Sequence, residues 1–208
     1  MRSGAGASET KPSISGGVRE VQRLETRGRL FDAALVEIAK CGLAAADVAA
    51  IAAAAGVARG TFYFHFPAKE HVLIELERNE EARIVEELRG KKADLVRVLL
   101  TVVHHVLDAQ QRLGALVFRD MLGLHFSSSR PLEDELTQHP LAEYLIGAIG
   151  HAQAAGEASP DADAAELATF FLTGLFALLA TGISDAALLS RYVTTIVNGW
   201  RSHEADRY

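Results

Sequence analysis

Apolar residues recur along this chain at three- and four-residue intervals, and no two-residue alternation is sustained, so the pattern predicts helices and no sheet. Leu30, Phe31, Ala34, Leu35 and Ile38 share one face of a helix over Glu25 to Lys40, which Gly42 is placed to end. Asp47 suits the N-cap of a second helix, Val48 to Ala55, with Gly56 as its left-handed stop. A short third helix spans Arg59 to His65. Pro67 then opens a long fourth one, Ala68 to Arg89, whose second half, ERNEEARIVEELR, reads as solvated.

Longer helices follow a break near Gly90. Ala93 to Arg112 has a wide apolar arc, with Arg97, Thr101, His104, His105 and Asp108 on the remainder, which places both histidines in water. Leu113 to Phe126 is apolar almost all round. The loop SSSRP leads to a short turn of helix at Leu132 to Leu136, then to a helix over Pro140 to Ala155. The connector AGEASPDAD precedes Ala164 to Thr181. A last helix, Asp185 to Ser202, carries Leu188, Leu189, Tyr192, Val193, Ile196 and Trp200 on one face. The expected fold is all-α: a tail over residues 1–21, a three-helix head over 22–67 and a helical body over 68–208.

Composition sharpens this reading. The chain of 208 residues has 49% hydrophobic and 23% charged residues, as an ordinary globular protein does. Its one cysteine, Cys41, has no partner for an internal disulfide, so a reducing cytoplasm is expected and the thiol reads as a small apolar group near a helix end. The N-terminal MRSGAGASETKPSISGG lacks the apolar run of a signal peptide and reads as a flexible tail. Leu167 to Ser184 holds eighteen residues without a charge, but its glycines, threonines and acidic flanks favour a helix buried in a protein or subunit core over a membrane span. The net charge of −6 conceals an asymmetry: residues 1–70 carry nine Lys/Arg against seven Asp/Glu, and the remainder twelve against twenty. A mildly basic head can meet DNA locally, since charges act over about 10 Å at physiological salt.

The densest chemistry lies in GVARGTFYFHFPAKE, Gly56 to Glu70. A short helix ended by Gly, a tight turn and a second short helix is the helix-turn-helix plan, whose second helix enters the major groove with its N-terminal residues toward base edges. Ala52 is small where the helices cross, and Val57, Phe62 and Phe66 fall on the core side. Arg59, Gly60, Thr61, Tyr63 and His65 fall toward DNA, and Gly60 permits close backbone approach.

In fixed register, Ile51, Ala52, Ala55, Gly56, Val57, Gly60, Thr61, Tyr63, His65, Phe66 and Lys69 resemble the signature of the TetR/AcrR family of transcriptional regulators, over Thr26 to Leu73. The resemblance implies phosphate contacts by Thr61, Tyr63, His65 and Lys69, joined by Thr26, with Arg59 reading a base. The sequence departs from the family at Ala58, where Ser or Thr is usual as N-cap, and at Phe64, which is bulkier than usual.

For the body, the resemblance implies a homodimer through the last two helices, with Leu175, Leu178, Leu189, Tyr192, Ile196 and Trp200 at the interface or backing it. The all-round apolar character of Ala164 to Thr181 agrees independently. It also implies a small-molecule effector site, for which Val103, Phe118, Met121, Leu122, His125, Phe126, Tyr144, Phe170 and Phe171 are the candidate lining. His125 lies on an apolar face, as a core or a pocket histidine. The function expected is a cytoplasmic DNA-binding regulator, most often a repressor in this family, that leaves a palindromic operator when an apolar or amphipathic effector binds. A metal-responsive regulator using the body histidines is the alternative, although none of them has H-E-x-x-H spacing. An all-helical enzyme has no supporting motif, and neither a cofactor nor a resident metal is implied.

Overall fold

The computed structural model describes residues 14–90, 93–131, 134 and 139–201. Within them every regular element is helical: α1 (Ile14–Ala45), α2 (Val48–Ala54), α3 (Arg59–His65), α4 (Glu70–Leu88), α5 (Leu95–Leu113), α6 (Ala115–Gly123), a 3-10 turn (Leu124–Phe126), α7 (Pro140–Ala154), α8 (Ala164–Ala180) and α9 (Ala186–Trp200). None is long and apolar enough to cross a membrane. The expected tail is shortened, because α1 begins at Ile14 and its first two turns project ahead of the head with Val18 and Val21 exposed. The helical turn expected at Leu132 to Leu136 lies outside the described residues apart from Asp134.

Caps fix most helix starts. Asp47, Asp94, Asp163 and Asp185 each adopt an extended backbone and accept from an amide in the first turn of α2, α5, α8 and α9 respectively. Gly56 ends α2 at φ +70°, and Gly42 breaks α1 at φ +81°, conformations that an L side chain resists. At Gly42 the break also releases the Leu43 amide, which donates to the Asp120 carboxylate of α6 at 2.8 Å. Head and body are therefore joined by a polar contact as well as by the chain.

In the head, Leu30, Ala34, Ile38, Ile51, Phe62 and Phe66 are buried together, with Val57 packed against them. The body stacks α7 and α6 on α8, α7 on α4, and α9 on α5. The helix over 164–180 buries Leu167, Phe171, Leu172, Leu175 and Leu179 within the chain and leaves Phe170 exposed.

Helix α4 belongs to both halves. Its start is tied to the head by Arg27 of α1, whose guanidinium donates to the His65 carbonyl, pairs with Glu75 and lies 4.1 Å over the Phe66 ring. One cation thus covers the C-terminal end of α3, where unpaired carbonyls favour positive charge, and holds α1, α3 and α4 together. The substitution Arg27→Met keeps the packing stem and removes all three polar links, so a cost of about 1–2 kcal/mol is expected. Thermal unfolding followed by circular dichroism should show the midpoint falling by roughly 2–8 °C; an unchanged midpoint would mean that this tie contributes nothing.

Candidate nucleic-acid interface and buried polar cluster

The geometry of α3 follows from where its rings point. Residues 62, 65 and 66 share one helical face, and Phe62 and Phe66 are fully buried with ring centroids 5.6 Å apart. They anchor the helix, and the opposite side presents Arg59, Gly60 and Tyr63, with Thr61 half-buried at its edge. The Arg59 guanidinium lies 5.9 Å from the Tyr63 ring, so cation and phenol form one exposed surface. Ala58 occupies the N-cap with extended backbone and gives no side-chain hydrogen bond. Phe64 is 75% exposed and meets the His65 ring edge-on. Thr26 is half-buried, its hydroxyl receiving the Arg29 guanidinium at 3.4 Å.

Two expected DNA-facing residues are placed differently. His65 is buried on the inner face with the phenylalanines, and burial, reinforced by the charges of Arg27 and Arg23, holds it below the usual histidine range. It supports α3 from the inner side in this geometry. The Lys69 ammonium donates to the carbonyls of Ala44 and Ala46 at 2.8 and 3.4 Å, covering the end of α1. Helical spacing explains the first placement and the nearby carbonyls, which attract a cation, the second.

The second concentration of chemistry lies inside the body, and the amphipathic reading missed it. Glu77 and Glu81, expected in water, are buried at 2% and 4% exposure. They continue the register of Leu73, Ile84 and Leu88 on the inner face of α4; charged letters in an apolar register were the available signal. Around them converge His125 from the 3-10 turn, Arg130 and Asp134 from the segment between that turn and α7, and His139 at the N-cap of α7. His139 Nδ1 lies 3.1 Å from Glu81 and Nε2 lies 3.0 Å from Asp134. Asp134 also pairs with Arg130 and Arg78, each at 2.7 Å.

Proton positions follow from the partners. Arg130 can only donate, so His125 Nδ1 accepts from it and Nε2–H donates to Glu77. Burial, with Arg130 and His139 adding to it, drives His125 down to about 3, which fits a neutral ring. Burial opposes charge on His139 too, but the hydrogen bond and charge of Glu81, with Glu77 and Asp134, more than offset it and raise this histidine. Glu77 is pushed up from 4.5 to about 8 by burial first and the Glu81 charge second.

A small cavity of about 20 Å³ adjoins Glu77 and Glu81 and is walled by Phe118, Met121, Leu122 and Phe176. Of the expected effector lining, only Phe118, Met121 and Leu122 are brought together there. Val103 is packed in the core, and Phe171 is buried with its ring stacked 5.9 Å from Tyr192. Phe126 and Phe170 are 52% and 63% exposed because they leave the outer faces of their helices. His125 is tied to Glu77 behind the cavity, and Tyr144 lines a separate surface groove of about 710 Å³ between α7 and the start of α5.

Among the expected dimer residues, Leu175 and Leu189 are wholly buried within the chain and Trp200 nearly so, while Leu178, Tyr192 and Ile196 are half-buried. Tyr192 donates to the Phe171 carbonyl at 2.7 Å. Of the two histidines expected in water, His104 is exposed beside Asp108, whereas the His105 ring is mostly covered and pairs with Glu87 at 2.9 Å. Cys41 is exposed, its thiol donating to the Glu37 carbonyl at 3.3 Å, so it is no part of an apolar core.

Residues 30–76 match the family described as "Bacterial regulatory proteins, tetR family". The HTH-type transcriptional regulator AcrR of Shigella flexneri is 35% identical over 89 residues, which is 41% of this chain and 41% of that protein. The chain thus spans about two-fifths of that curated relative's length. Over almost its whole length the fold is similar to solved structures. Thermus thermophilus FadR, a TetR family transcriptional repressor in complex with lauroyl-CoA, superposes with TM-score 0.68 at 22% identity, covering 88% of this chain and 98% of that one. RolR in complex with resorcinol superposes with TM-score 0.69 at 18% identity, covering 90% and 93%.

The buried cluster makes stability depend on pH. Folded Glu77 keeps a proton that the unfolded chain releases above 4.5, so its contribution is lost as pH rises toward about 8, at most about 1.4 kcal/mol per pH unit. His125 acts oppositely below its ordinary 6.5, where the unfolded chain binds a proton that the folded ring refuses until about 3. The two oppose each other below pH 6.5, and above it only the Glu77 loss continues, joined by that of His139. The unfolding midpoint should therefore fall from pH 6.5 to 8.5, and fall less in Glu77→Gln. Equal falls in the two proteins would contradict the assignment.

Proposed function

We propose that the chain is a regulator of the TetR/AcrR kind, a sequence-specific DNA-binding transcriptional repressor. In this reading α3 lies in the major groove. Arg59 reads a base edge, for which a guanidinium matches guanine O6 and N7. The Gly60 backbone, Thr61 and Tyr63 hold the phosphates, and Thr26 adds a contact from α1. His65 and Lys69 serve the same surface indirectly, by fixing α3 and the end of α1. The observation that carries the reading is the exposed Arg59–Gly60–Tyr63 face on a helix anchored by Phe62 and Phe66.

One short helix reads too few bases for useful affinity, so a homodimer on a palindromic operator belongs to the proposal, with the two α3 helices about 34–36 Å apart. The partner would cover the outer face of α8, where Phe170 is exposed, together with half-buried Leu178, Tyr192 and Ile196. Leu175, Leu189 and Trp200 would support that face from behind. A small apolar or amphipathic effector would enter the body beside Phe118, Met121 and Leu122, widening the cavity there. By differential affinity for another α3 spacing it would release DNA, and a coupling of about 1–3 kcal/mol corresponds to roughly 5–150-fold.

Selection from a randomised duplex pool supplies the DNA for the test. On the selected duplex, Arg59→Ala should weaken binding in a fluorescence-anisotropy titration by about 5–150-fold and relax preference at one position per half-site. Arg89→Ala, exposed at the end of α4, should change affinity by less than about twofold. Unaltered binding by Arg59→Ala would remove α3 as the reading element.

A further inference from the structure

We propose that Glu77, Glu81 and His139 form a binding site for one divalent transition-metal ion in the body. One carboxylate oxygen from each glutamate and one imidazole nitrogen already lie within 4.8 Å of one another. All three side chains are buried, at 2%, 4% and 0% exposure. Glu77 Oε2 has no hydrogen-bond partner among the described residues, which is costly for a buried carboxylate unless something else takes its lone pairs.

The surrounding groups are arranged as outer partners of such a site. His139 turns Nε2 to Asp134 at 3.0 Å and Nδ1 to Glu81 at 3.1 Å. A carboxylate on the far nitrogen of a metal-binding imidazole fixes its orientation and raises its basicity. Arg130 and Arg78 fix Asp134 in turn. His125 holds one Glu77 oxygen and leaves the other unpaired. When metal binding strips the ligands of their protons, Glu77, Glu81 and Asp134 set against Arg78 and Arg130 leave one net negative charge, so the cluster attracts a cation.

Two oxygens and one nitrogen without sulfur suit Zn²⁺, Co²⁺ or Mn²⁺ better than Cu⁺. Three protein ligands are also fewer than Ca²⁺ requires. A cavity of about 20 Å³ adjoins the stems of Glu77 and Glu81, a volume that would hold one water.

The test uses the full, untagged chain, stripped with chelator and dialysed, and does not depend on DNA binding. Equilibrium dialysis should show one Zn²⁺ or Co²⁺ per chain, with a visible Co²⁺ absorption band and a raised unfolding midpoint, and no comparable binding of Mg²⁺. Glu81→Gln and His139→Asn should each lose about 100-fold or more in affinity. Asp134→Asn, which leaves the three ligands in place, should lose about 10–100-fold. The exposed-histidine variant His104→Ala should bind as the wild type does. Folding of each variant is checked by far-ultraviolet circular dichroism, and Asp134→Asn together with the wild-type stoichiometry and Co²⁺ band decides the matter if the ligand variants do not fold. Absence of saturable wild-type binding below millimolar metal overturns the proposal. So does binding that survives both ligand substitutions or that disappears in His104→Ala.

Discussion

The burial of two carboxylates one helical turn apart on α4 is the constraint around which the body is organised. An isolated charge in such a place is unfavourable by several kcal/mol, so neighbouring segments supply compensating groups. The 3-10 turn supplies His125, the segment after it Arg130 and Asp134, and the start of α7 His139. None of these would be needed if α4 carried leucines at 77 and 81. Their convergence ties Arg130, Asp134 and the start of α7 to α4, beside a small apolar cavity.

The same helix begins in the head. Arg27 joins the end of α3, the Phe66 ring and Glu75, two residues before Glu77, so the α3 anchor and the polar cluster lie close together on a single rod. The Leu43–Asp120 contact provides a second, independent brace between the halves. Whatever occupies the body beside Glu77 and Glu81 therefore acts on a helix whose other end fixes the orientation of α3. This is a mechanical argument from shared elements, and coupling through such an element requires two arrangements of it that the sites bias differently.

How much of this was legible in the sequence depended on whether the cause was local. The α3 boundaries, Arg59–His65, and the stops at Gly42 and Gly56 were readable because capping and positive φ act over a few residues. The inward placement of Phe62 and Phe66 was readable for the same reason. The surroundings of His65 and Lys69 were not readable because they come from elsewhere: His65 shares the core face, and Lys69 reaches carbonyls some 25 residues back. Glu77 and Glu81 looked like a solvated charge run since their compensation lies about 50–60 positions away. Of the residues expected to line an effector site, Phe118, Met121 and Leu122 of α6 border the small cavity, inward by periodicity alone.

Hydrogen exchange of the free protein tests most directly whether α4 links the two halves. Amide protection in α1, α3 and the first turns of α4 should be compared between wild type and Glu81→Gln, a change confined to the body and far in sequence from α3. The linkage described here predicts altered protection at residues 59–65 and 70–76 as well as around the substitution. Changes confined to α7 and the body half of α4, with α3 exchanging as in the wild type, would mean that the halves respond independently and would contradict it.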